Sequence, residues 1–115
     1  MFLGLPNGSD LSHKKCVPCE IGTPPLGKSQ IEKYLQRLEC RWEVLDDVKI
    51  RHEFRFKSFN EAFDFVKKIA RLSEKEGHHP NIHIYYNRVI VDLITHNIKG
   101  LSENDFIMAS KVEKL

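Results

Sequence analysis

Apolar positions mark out a sequence of short elements along the chain. Ile31, Tyr34, Leu35 and Leu38 recur at helical spacing through KSQIEKYLQRLEC, which predicts a first short helix beginning at Lys28. The period then drops to two in RWEVLDDVKIRHEFRF. Ile50, His52, Phe54 and Phe56 share one face there, with Arg51, Glu53 and Arg55 on the other. Asp46-Asp47 supplies a turn before this strand, so two antiparallel strands are expected. Ser58-Phe59-Asn60-Glu61 reads as a capping box. Behind it Phe59, Ala62, Phe63, Val66, Ile69 and Ala70 predict the apolar face of a long helix that Gly77 stops. NIHIYYNRVIVDLITH follows as two alternating runs broken near Asn87-Arg88, a hairpin in which Asn tolerates positive φ. Leu101 to Phe106 resembles a hydrophobic staple with a capping box, opening a last helix through Val112.

The predicted order is α-β-β-α-β-β-α. It implies a single α+β domain: a four-stranded antiparallel sheet with helices packed on one face. Residues 1–25 are rich in Gly, Pro, Ser and Cys with neither period, and are expected to be an irregular leader draped over a domain spanning 26–115. There is no internal repeat.

Composition narrows the function classes. With 41% apolar and 30% charged residues in 115, one ordinary globular core is expected. Eighteen Lys+Arg against sixteen Asp+Glu are interspersed rather than gathered in a stripe, which argues against direct nucleic-acid binding. No apolar run approaches the ~20 residues of a membrane span, and MFLGLPNGSD lacks the features of a secretory signal. Three cysteines, two of them in Cys16-Val17-Pro18-Cys19, fit a reducing, cytoplasmic compartment better than a disulfide scaffold. A redox role for that pair lacks its βαβ context, so a reduced structural leader element is the preferred reading.

The chemistry-bearing residues cluster in SEKEGHHPNIHIYYN. His78 and His79 follow the long helix, Pro80 forces His79 toward extended backbone, and His96 stands at the far end of the next hairpin. Pairing of the two strands brings His96 opposite His78 and His79. Three readings stand side by side: solvated loop histidines, zinc ligands, or metal-free acid/base groups. Zinc wants three or four ligands, and no recognised ligand spacing is present. Imidazole, with an unperturbed pKa of about 6.5, suits proton transfer near neutrality.

Taken together, Glu74, His78-His79-Pro80, Tyr86, His96 and Asp105 resemble the signature of the pterin-4a-carbinolamine dehydratase family. The intervals are three residues from Glu74 to His78, five from Pro80 to Tyr86, nine to His96 and eight to Asp105. EFRFKSFNEAFDFV is similar to the family's strand-into-helix segment, GLSENDF to its last helix start, and KKCVPCE…TPPL to the leader of bacterial and plant-type members.

The resemblance implies a lyase that dehydrates 4a-hydroxytetrahydrobiopterin to quinonoid dihydrobiopterin in tetrahydrobiopterin recycling. It implies no metal and no cofactor, and a functional link to an aromatic amino acid hydroxylase. It makes His78, His79 and His96 the catalytic residues, with His79 as the main proton-transfer group. Glu74, Pro80 and Asp105 take substrate-binding or orienting positions. Asp105 is also the third residue of the Ser102 capping box, so helix capping competes with an orienting role. For Glu74 the competing reading is a solvated last-turn residue, and the functional position is preferred. Gly77, Ile82 and Asn104 depart from the animal members, which carry acidic, aromatic and basic residues there. His83 lies outside the signature and is read as a surface residue; His52 is read as a sheet residue. The family further implies a homodimer or homotetramer, and its alternative role is a non-enzymatic dimerisation cofactor of a transcription factor. Open edges of a small sheet are compatible with such pairing.

Overall fold

The structure is a computed structural model that describes residues 11–115. The first ten positions of the expected leader, and the reading of MFLGLPNGSD, lie outside the described residues. Helix α1 spans Lys28–Leu35, strand β1 Glu43–Leu45 and β2 Lys49–Arg55. Helix α2 runs Phe59–Glu76, followed by β3 Asn81–Tyr85 and β4 Arg88–Leu93. A 3-10 turn at His96–Ile98 leads to α3, Glu103–Val112. The four strands form one antiparallel sheet in the order β1-β2-β4-β3, so the α+β fold and its element order are as expected.

Local chemistry explains the boundaries. Asp46 and Asp47 both take positive φ, 54° and 57°, the conformation that closes the β1–β2 turn. Ser58 Oγ accepts from the Glu61 amide at 3.2 Å, while Glu61 reaches back to the Lys57 N–H rather than to that of Ser58. Gly77 ends α2 in the left-handed region, φ 68°, its N–H donating to the Ser73 carbonyl. Helix α1 is shorter than the apolar spacing predicts. It ends at Leu35, and Leu38 packs on the core from the turn beyond.

Two expectations need correction. The second hairpin turns on Tyr86-Asn87, one residue early, and Tyr86 carries the positive φ of 53°. Tyr85 pairs with Arg88, so register set by Ile82↔Val91 and Ile84↔Val89 overrides the preference of Asn for that backbone. The buried face of α2 is also rotated from the predicted one. Ala62, Phe65, Ile69, Ser73 and Glu76 face inward, whereas Phe59 and Phe63 are half exposed and Ala70 is exposed.

The core lies between the helices and one sheet face. Ile50, Val89, Val91 and Leu93 meet Phe65, Ile69, Phe106 and Met108 there, with Leu11 of the leader fully buried among them. His52 packs its ring on Trp42 and Phe54 at centroid distances of 5.4 and 4.7 Å, the sheet role expected of it. The opposite sheet face is polar. Arg51 grips Asp92 with two hydrogen bonds of 2.6 and 2.9 Å, and His83 lies on this face, stacked at 6.4 Å on Tyr85.

Candidate active site

The register of the β3–β4 hairpin assembles the site. Asn81 opens β3 opposite Asp92, near the end of β4, so the loop before β3 lies beside the chain leaving β4. His78 and His79 occupy the first loop and His96 the second. All three line one cavity of about 290 Å³. That is the lower end of the size range of small-molecule sites, about 300 Å³ upward, and suits a compact ligand. The 3-10 turn carrying His96 is closed by the Thr95–Gly100 bridge, with Lys99 at φ 52°.

Each histidine of the pair is held by a different carboxylate. His78 Nε2 lies 2.7 Å from Asp105 Oδ1; the imidazole is 11% exposed and the carboxylate fully buried. The second oxygen of Asp105 accepts from the Thr95 hydroxyl at 2.7 Å and from the Ser102 N–H at 3.0 Å. Capping and histidine contact are therefore not alternatives: one oxygen does each. His79 Nε2 lies 2.6 Å from Glu74 Oε2 in an exposed pair. Glu74 thus contacts a signature histidine. Pro80 is half-buried between His79 and β3 and is not part of the cavity wall, and His83 lies away on the sheet's polar face.

Sequence reasoning missed two contributors. Thr95 bridges Asp105 and Ser102, with hydroxyl to hydroxyl at 2.7 Å. The Cys16–Cys19 segment, expected only to drape over the domain, lines the cavity together with the histidines. No local signal marks either, because their partners stand 10 and about 60 to 90 residues away. Burial, followed by the nearby Glu76 carboxylate, pushes the Cys16 thiol up to about 12. Burial and then Glu113 raise Cys40 to about 11. The three cysteines are free. Among the described residues, no group of three or more His, Cys, Asp or Glu side chains is arranged to hold a metal ion. Among them, too, no helix is long and apolar enough to cross a membrane.

A small α+β domain with a histidine-lined cavity at the shared end of a helix and a hairpin defines the class of protein. The chain belongs to the pterin 4 alpha carbinolamine dehydratase family, whose sequence pattern matches residues 24–115. A protein of Alkaliphilus metalliredigens named "Putative pterin-4-alpha-carbinolamine dehydratase" is 45% identical over 106 residues, 92% of this chain and 96% of the relative. A protein of the same name from Methylococcus capsulatus is 48% identical over 91% of this chain and 92% of its own. The crystal structure of a transcriptional coactivator/pterin dehydratase from Brucella melitensis superposes with a TM-score of 0.73 at 37% identity, covering 78% of this chain and 96% of that one.

Proposed function

We propose that the protein dehydrates a 4a-hydroxytetrahydropterin to the quinonoid dihydropterin by histidine acid/base catalysis, within tetrahydrobiopterin recycling. The observation that carries this reading is the convergence of His78, His79 and His96 on one cavity, two of them each held by its own carboxylate. Membership of the family supports the reaction class.

The chemistry needs a proton delivered to the 4a-hydroxyl as its C–O bond breaks, so that water leaves rather than hydroxide. The N5 lone pair forms the new C=N bond, and the N5 proton passes to a base. One proton enters and one departs, leaving water and quinonoid product. A carboxylate oxygen as partner favours the tautomer in which Nε2 of His78 and of His79 carries hydrogen, which leaves Nδ1 of each to exchange with substrate. His79, exposed and paired with exposed Glu74, exchanges protons with solvent and is the main transfer group. His78, fixed by a fully buried carboxylate, and His96, lining the same cavity, address the hydroxyl and ring. Each acid/base contribution is worth about 10²–10⁴-fold.

The test follows decay of chemically generated 4a-hydroxytetrahydropterin with and without protein, before and after chelator treatment. Chelator-resistant acceleration supports the reading, and decay unchanged by the protein contradicts it.

A second reading, a protein-binding module on the same fold, is favoured by one observation. Phe59 and Phe63 stack at 6.3 Å on the exposed side of α2. The occupant proposed for this stripe is a second copy of the chain, giving a homodimer or homotetramer. This is compatible with the enzyme reading.

A further inference from the structure

We infer that the Cys16–Cys19 segment is a built wall of the substrate site, and that Asn104 is the positioning residue that holds it there. Two buried polar side chains, otherwise costly to bury, direct their hydrogen bonds at this segment's backbone. Glu76, 8% exposed at the end of α2, accepts from the Cys16 N–H at 2.9 Å. Asn104, 7% exposed near the start of α3, accepts from the Val17 N–H at 2.9 Å and donates to the Val17 carbonyl at 2.6 Å. This two-way clamp is what a neighbouring β-strand would provide. Asn97, beside His96, adds a bond to the Cys19 carbonyl at 3.2 Å, and Lys111 binds the Ser12 carbonyl at 2.9 Å.

The clamp leaves apolar surface facing the cavity. Val17 is 66% exposed and lines the same cavity as the three histidines, together with Pro18 and Cys19. An apolar side chain held in water beside a ligand cavity gains by being covered, and on the pterin reading the flat face of the bicyclic ring is the surface that would cover it. Successive residues of α3 thus divide the work: Asn104 holds the wall and Asp105 holds His78. The wall acts on binding of the ring, whereas the histidines act on the proton transfers. The inference rests on the pterin reading above.

Three measurements test it together. Binding of dihydrobiopterin is first established by calorimetry. The rate of Cys19 modification by a small methanethiosulfonate is then read by mass spectrometry with and without saturating ligand. Cys40, outside the cavity and with its thiol raised to about 11, serves as a slow internal reference. Bound pterin is expected to slow Cys19 modification about tenfold or more. Val17→Ser, at an exposed position that leaves the clamp intact, is expected to raise KM about fivefold with kcat and Tm unchanged. Asn104→Ala raises KM by about tenfold or more with kcat within about threefold of wild type. Unprotected Cys19 at saturating ligand, with an unchanged KM in Val17→Ser, overturns the inference while leaving the dehydratase reading intact. Absence of pterin binding to the wild type overturns that reading and this inference with it.

Discussion

Asp105 and His78 are joined at 2.7 Å through one carboxylate oxygen, while the other oxygen closes the capping box of α3 on the Ser102 N–H. Helix start and site are therefore one structure. Asp105→Ala is expected to lose about 2–4 kcal/mol of stability, from the lost cap and the unpaired Thr95 and His78 groups left buried. Asp105→Asn retains the shape, and its stability loss should be smaller while kcat still falls. Urea unfolding and steady-state rates on both variants check this; equal loss of stability in the two contradicts it.

Gly77 places the histidine pair. At φ 68° a Cβ meets no steric neighbour within 4 Å, so the penalty of Gly77→Ala is backbone conformation alone, about 1–2 kcal/mol. Because His78 and His79 follow directly, the variant is expected to lose kcat as well. Full activity at the expected lower Tm would show that the turn does not set their position.

Gly100 behaves differently. A Cβ there comes within 2.6 Å of Pro25 Cβ, where Leu26 hydrogen-bonds Leu101 and the leader crosses the His96 loop. Gly100→Ala is expected to cost about 1–3 kcal/mol by overpacking and to raise proteolytic sensitivity of the leader. A wild-type Tm and digestion pattern would contradict this.

The elements and the histidines were legible because their signals are local: caps, a helix-stopping glycine, alternation, and a hairpin that folds distant histidines together. The face of α2 was legible only in part: Ala62 and Ile69 are buried and Val66 packs on the core as expected, whereas Phe59, Phe63 and Ala70 do not. Phe59, Phe63, Val66 and Ala70 form one helical stripe, and Ala62, Phe65, Ile69 and Ser73 form the stripe beside it. Spacing alone cannot say which of them meets the sheet. The inward stripe ends in polar Ser73 and Glu76, the first satisfied by the Ile69 carbonyl and the second by the leader and Lys111. The contacts of the leader were likewise invisible, since Asn104 is 87 residues from Val17.

The stripe that α2 leaves outside gives a prediction. The proposed self-association through this stripe predicts that Phe63→Glu lowers the mass seen by light scattering with the fold unchanged by circular dichroism, because charge opposes burial of that surface. An unchanged mass would place the contact elsewhere.

Two carboxylates with depressed pKa values, Asp92 and Glu76, are expected to contribute to the acid sensitivity of the fold. Hydrogen bonding from Arg51, acting against burial, holds Asp92 below the ordinary carboxylate range. Burial pushes Glu76 up, but the Cys16 N–H together with Lys111 and Lys15 outweighs it, and its pKa is lowered. For depressed values the stabilisation is complete above the unfolded pKa, about 4, and is lost as pH falls through the folded values. The urea midpoint should therefore drop as the pH falls below about 4, and drop less in Asp92→Asn. Identical pH profiles for wild type and variant would contradict the assignment.

The most direct test of the central claim is stopped-flow decay of 4a-hydroxytetrahydropterin with wild type and His79→Ala at matched folding. A wild-type acceleration that falls about 10²–10⁴-fold in the variant is the expected result. Equal rates for the two proteins would contradict a site built on His79.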